Sequence, residues 1–174
     1  MKIKACLRAQ MRLNVRAMSA GYVRAAGARL QRAVIGLPEW HTARCVCLYL
    51  AMPGEAPTAR LLEDCRQAGK RVFVPAWRTG RRGYGLARLE PDDALQPGKM
   101  SVLEPVCPRW VRRARAGLVV VPGAAFDARG GRLGRGGGHY DRLLAGPVLR
   151  AAFKVGLAWD FQVVGRVPMQ AHDV

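Results

Sequence analysis

The chain has 174 residues, half of them hydrophobic, and a formal net charge of +17; this suits one compact domain with a sizeable core and excludes a disordered chain. No apolar run reaches the length of a membrane span, and the N-terminus has no signal-peptide core. The five cysteines (Cys6, Cys45, Cys47, Cys65 and Cys107) lack any C-x-x-C spacing, which argues against a zinc site and for reduced thiols in the cytoplasm.

Residues 2–18 have helical periodicity. Ile3, Leu7, Met11, Val15 and Met18 form an apolar stripe, while Lys4, Arg8 and Arg12 follow one another a turn apart. On the residues alone this is a docking helix with a solvated, charged face. Ser19 is placed to cap a second helix over 20–35, with Tyr22, Val23, Leu30, Val34 and Ile35 as its apolar positions. Cys45 to Ala51 is a buried strand, and Glu55 follows just beyond its carboxyl end. Open α/β sheets bind ligands at that end, although a loop acid there is also ordinary. Thr58 caps a helix running to about Ala68, with Leu61, Leu62 and Cys65 inward and Gly69 ending it. Arg71 to Pro75 is a second core strand. Residues 76–117 carry weaker signals: Tyr84 to Leu89 suggests an edge strand or hairpin arm, and the prolines with Gly98 mark loops.

The most specific stretch runs from Leu118 to Leu144. Leu118 to Val121 is a short, uninterrupted apolar run, the mark of a buried strand, and Pro122 with Gly123 stops it. Six of the nine residues from Gly130 to Gly138 are glycine, interrupted only by Arg132, Leu133 and Arg135. Tyr140, Leu143 and Leu144 then share a helical face. Glycines allow close backbone approach to a ligand, arginines offer forked donors to phosphate oxygens, and Asp141 in the first helical turn suits a Mg²⁺ ion that bridges to phosphate. A flexible loop before a capped helix is the bland alternative. The segment is neither a Walker loop, since no Gly-Lys-Ser/Thr occurs, nor a dinucleotide fingerprint, since twelve residues separate Val121 from Gly134. Beyond it, Ala145-Gly146-Pro147 interrupts the helix and Phe153 to Trp159 is a last strand.

P-G-A-A-F-D followed by G-x-R-L-G-R-G-G-G-H-Y-D-R-L-L closely resembles the signature of 5-formyltetrahydrofolate cyclo-ligases. The segments R-V-F-V-P, L-E-P at Leu103-Glu104-Pro105, and V-P followed by H-D-V at the C-terminus also resemble that family. The resemblance implies a Rossmann-like three-layer α/β/α sandwich with a mainly parallel sheet. It also implies a cytoplasmic monomer that uses ATP and Mg²⁺ to convert 5-formyltetrahydrofolate, in polyglutamylated forms too, to 5,10-methenyltetrahydrofolate. Carried over residue by residue, it assigns the nucleotide to Lys4, Arg8, Arg132, Leu133, Gly134, Arg135, Gly136, Gly137, Gly138 and Tyr140. Leu50, Glu55 and His139 would hold the folate, Asp141 and Asp173 the metal, and Arg135 and Tyr140 would stand nearest the chemistry. The mainly parallel sheet is expected independently from the alternation of helices and buried strands.

Two departures stand out. His139 occupies a position where the family usually has Tyr or Phe, and the chain ends where most relatives add a further strand. These leave open a diverged relative that keeps the fold and nucleotide loop. The charge alone would also suit a nucleic-acid-binding protein, but the few aromatics are not interleaved with basic residues as a base-stacking platform requires. Glu104 is either a structural acid or near the site, and the structural reading is favoured.

Overall fold

The computed structural model describes residues 2–81 and 83–168. Helix α1 (Lys2–Arg16) is followed by α2 (Ala20–Ile35) and the short α3 (Pro38–Thr42). Strand β1 (Cys45–Cys47), helix α4 (Ala59–Gln67) and strand β2 (Arg71–Arg78) form the first β-α-β unit. There follow β3 (Gly83–Leu89), β4 (Leu95–Pro97), β5 (Leu103–Pro105), β6 (Arg109–Trp110), β7 (Leu118–Val121), β8 (Ala125–Phe126), β9 (Arg132–Leu133), α5 (His139–Ala145) and β10 (Phe153–Gly156). The main sheet has the order β10-β7-β1-β2-β3-β6. β10, β7, β1 and β2 run parallel, while β3 and β6 add antiparallel pairings at one edge. The expected α/β class with a mainly parallel sheet is borne out.

Alternate residues of each strand point to opposite faces, and the two faces are buried by different helices. Val46, Leu48, Val72, Val74, Leu118 and Val120 pack with Trp40, Leu61 and the inner positions of α2. Cys45, Cys47, Phe73, Val119 and Val121 pack with Leu143, Leu144 and Leu149. This double burial explains why β7 reads as a continuous apolar run instead of an alternating one.

Several local expectations need adjustment. Ile3 is 72% exposed, so the buried stripe of α1 begins at Leu7 and centres on Met11. Ser19 caps α2 as expected, its hydroxyl accepting from the Tyr22 N–H. Thr58 precedes α4 but gives its helix no side-chain cap; its buried hydroxyl instead donates to the Tyr49 carbonyl at 2.7 Å. The Tyr49 hydroxyl in turn donates to the Ala56 carbonyl at 2.6 Å. These two bonds fold the chain after β1 back on itself and fix the stretch that carries Glu55. The last parallel strand pairs only over Phe153–Gly156, because after it the chain turns inward to bury Leu157 and Trp159.

Thr58→Val keeps the shape but leaves the buried Tyr49 carbonyl without its donor. It is expected to cost about 1–3 kcal/mol of stability, read as a lower urea midpoint with unchanged slope; a midpoint equal to wild type would show that the bond holds nothing.

Candidate active site

The glycine-rich segment divides in two. Gly130 and Gly131 form the turn of the β8–β9 hairpin, where Asp127 accepts the N–H groups of Arg129 and Gly131 and, from a distant loop, that of Val167. Those three N–H groups stabilise the charged form, and the Asp127 carboxyl titrates below the usual range, the Val167 bond acting most strongly. Only Gly134 to Gly138 remain as an open crossing from β9 to α5. Gly136 (φ +110°) and Gly138 (φ +61°) both adopt the left-handed conformations that glycine tolerates.

Arg132 contributes to the lining of the apolar cavity described next and not to that of the arginine-lined one. Its side chain is buried, and its guanidinium pairs with the Asp141 carboxylate while also reaching the Pro122 carbonyl at 3.4 Å. A buried guanidinium needs a carboxylate more than a solvent-facing one does, so Arg132 and Asp141 found each other. Leu133 is likewise a core residue, packed with Met11, Ala125 and Val167.

Two cavities meet beyond the carboxyl ends of β1 and β7. The first, about 110 Å³, has Leu50, Met52, Tyr84, Met100 and Val102 on its apolar wall and Gly134, Gly137, Gly138, His139, Tyr140 and Asp141 on the other. The second, about 310 Å³, is lined by Arg8, Arg12 and Arg16 from α1 together with Gly54, Gly123 and Gln162. Glu55, Arg135 and Tyr49 line both. Lys4, one turn before Arg8, is half-buried and is not among the residues lining either cavity. Gly136 carries the crossing without lining a cavity, and Asp173 lies outside the described residues.

The polar groups of the site are held in defined states. Glu55 accepts the Met52 N–H at 2.9 Å and pairs with Arg135 at 2.9 Å. Burial raises its carboxyl above the ordinary value, against the Met52 bond and Arg135. The Tyr140 hydroxyl is buried with no partner, and burial pushes its titration well above that of a free phenol. It is therefore a neutral donor on a residue that lines the first cavity. The Arg8 guanidinium donates from Nε to the Gly134 carbonyl at 2.7 Å, clamping α1 onto the glycine crossing. His139 packs edge-on against Trp77 and Tyr84, 5.9 and 5.1 Å between centroids, so its ring is braced by protein on a side that the sequence could not reveal. Arg142 lies 2.9 Å from His139 Nδ1; a guanidinium only donates, so Nδ1 accepts and the proton sits on Nε2.

Sequence reasoning missed Tyr49, Tyr84, Met100 and Val102, which reach the site from other elements with no local signal. Arg12 and Arg16 were legible as the continuation of the Arg8 row. Glu104 is buried and accepts the Trp77 N–H at 2.7 Å, in keeping with a structural role. As to the implied metal, no cluster of three or more His, Cys, Asp or Glu stands ready among the described residues. Of the two carboxylates expected at the metal, only Asp141 lies among the described residues, and a single carboxylate can suit Mg²⁺, which completes its shell from phosphate and water. No described helix is long and apolar enough to cross a membrane.

The family model described as the 5-formyltetrahydrofolate cyclo-ligase family matches residues 1–174. The chain is 27% identical over 182 residues to the 5-formyltetrahydrofolate cyclo-ligase of Mus musculus, covering 97% of this chain and 88% of that one. It is 33% identical over 139 residues to that of Escherichia coli (strain K12), covering 76% and 74%. The NMR structure of Aquifex aeolicus 5,10-methenyltetrahydrofolate synthetase is similar with a TM-score of 0.84 at 31% identity, covering 99% of this chain and 86% of that chain.

His139 titrates below the ordinary imidazole value, first because it has lost water and second because Arg142 repels a second positive charge. The folded ring therefore binds a proton less readily than the unfolded chain does. Its contribution to stability is complete above about pH 6.5, the unfolded value, and is lost as pH falls through the lowered folded value. Urea midpoints of wild type and His139→Gln are expected to converge between about pH 7.5 and about pH 5; a gap that stays constant would contradict this assignment.

Proposed function

We propose that this chain, which belongs to the 5-formyltetrahydrofolate cyclo-ligase family, uses ATP and a divalent cation to close 5-formyltetrahydrofolate into 5,10-methenyltetrahydrofolate, releasing ADP and phosphate. The observation that carries the proposal is the junction itself: an apolar cavity with an unpartnered phenol abuts a cavity lined by four arginines, Arg135 and three from α1. Such a pair of compartments suits a flat heterocycle on one side and a polyphosphate on the other. The formyl oxygen takes the terminal phosphoryl group, and this turns a poor leaving oxygen into phosphate. N10 then attacks the activated carbon, the phosphate departs, and the five-membered ring closes.

Chemistry of this kind runs on position and charge, with little covalent work for the protein. Arg8, Arg12 and Arg16 offer a fixed positive field to a triphosphate, and Arg135 stands where that compartment meets the other. Asp141 would hold the divalent cation, which when bound neutralises charge on the phosphate oxygens. Leu50, Tyr84 and His139 would enclose the pterin and exclude water, and Tyr140, a neutral donor, can hydrogen-bond an oxygen of the bound folate. Glu55, held beside the same cavity, is an acceptor for the N–H groups of the 2-aminopyrimidinone ring.

Methenyltetrahydrofolate formation, followed by its absorbance with and without ATP, tests the reading directly. Product without ATP, or none with it, would overturn it. Asp141→Asn is expected to lose turnover across a full Mg²⁺ titration; because it also takes the counter-charge from buried Arg132, it should lower the unfolding free energy by about 3 kcal/mol, the low end for a buried pair, read as a lower urea midpoint. Near-normal turnover would remove the metal assignment. Arg8→Ala is expected to raise the ATP requirement by about 1.5–3 kcal/mol, roughly 10- to 150-fold, and the folate requirement far less. An unchanged apparent affinity for ATP would leave Arg8 as a clamp on Gly134 alone.

A further inference from the structure

The Glu55–Arg135 ion pair stands at the junction of the two cavities and belongs to the lining of both. Its two partners differ sharply: the Glu55 side chain is 9% exposed and the Arg135 side chain 58%. Glu55 is fixed from behind by the Met52 N–H, whereas Arg135 rides on the glycine crossing between Gly134 and Gly136. If the pair opens, Arg135 is the member that moves. Glu55 is also the sole acid among the described residues lining the arginine cavity. Arg135 is therefore held by the one carboxylate that an entering polyphosphate would outcompete.

We propose that this pair is an interlock that makes nucleotide and folate bind cooperatively: polyphosphate in the arginine cavity draws Arg135 from Glu55, and Glu55 is then free to accept the N–H donors of a heterocycle in the apolar cavity. The inference rests on the two-substrate reading above. Its physical basis is a shared cost. Each ligand alone must break the pair and leave one buried or electrostatically committed group without a partner, whereas with both ligands bound each half has a new one. The first ligand bears the opening, and the second binds a site already open. Arg8 couples the same movement to α1, because the Gly134 carbonyl that it holds immediately precedes Arg135. In this scheme Arg135 and Glu55 also position each other, which a role as two independent contacts would not require.

Isothermal titration of the full chain with a non-hydrolysable ATP analogue and with 5-formyltetrahydrofolate tests it. In the wild type, saturating analogue is expected to tighten folate binding about tenfold, within the usual span of coupling between sites. Glu55→Gln keeps an acceptor for the Met52 N–H but releases Arg135, so in the absence of folate it is expected to bind the analogue several-fold more tightly than wild type. Arg135→Ala frees Glu55 from the start, so its folate affinity is expected to be the same with and without analogue and no weaker than that of analogue-free wild type. Independent contacts would instead give weaker binding in both variants. A Glu55→Gln variant that is folded by circular dichroism yet binds the analogue no more tightly than wild type overturns the interlock, as does wild-type coupling in Arg135→Ala. Absence of any folate heat in the wild type would count against the cyclo-ligase reading, and the Glu55→Gln comparison with nucleotide alone would still decide the interlock.

Discussion

One guanidinium taken almost wholly out of water holds the centre of this molecule together. Arg132 joins the Pro122 carbonyl at the end of β7 to the Asp141 carboxylate in the first turn of α5, and its charged end lies 5.8 Å from the Tyr140 ring centroid. A buried charge without a partner is costly, and one that is paired constrains everything attached to either side. The glycine crossing from Gly134 to Gly138 runs between these fixed points, with Arg8 clamping its first carbonyl. A segment whose sequence promises flexibility is thereby pinned at both ends, and it can present backbone to a ligand without a large ordering cost.

The sheet order places this device at the site. β7 and β1 are neighbours at its centre, so the loop after β7, which carries the glycine crossing, and the loop after β1, which carries Glu55, emerge side by side. The antiparallel β2–β3 pair then brings Tyr84 opposite Trp77, where both rings brace His139. The apolar cavity is thus walled by residues from four separate stretches of chain. α1 closes the other side, and its arginine row makes a docking helix the wall of a basic compartment. The abundant surface arginine need not act as a specific contact anywhere else, because a net positive field already raises the local concentration of anionic substrates.

Much of this organisation was legible in the residues. Periodicity located α1, α2, α4 and the strands β1, β2 and β7, because alternating or continuous burial leaves a local trace in composition. On its residues alone the sequence marked Glu55, Arg135 and Asp141, through a strand end, the glycine segment and a helix turn, whereas Arg8 and Tyr140 were singled out only by the family resemblance. Thr58 shows the limit even of local chemistry. Its position before a helix predicts a cap, yet a carbonyl from the preceding strand end competed for the same hydroxyl and won.

What the sequence by itself determined is the class of fold, the places of the longer helices and the buried strands, and the family to which the chain belongs. Which charge meets which was settled only in three dimensions. Arg132 and Arg135 sit three residues apart in the same glycine-rich context, and nothing local distinguishes them. One is buried against Asp141 and the other is exposed and paired to Glu55. Tyr84 and Met100 reach the apolar cavity from a region with no motif, and Arg8 meets Gly134 across 126 positions of chain. The reason is physical. Burial imposes a repeat on neighbouring residues, so it can be read along the chain, whereas the partner of a charge depends on which distant segments the sheet order brings together and how much water remains between them.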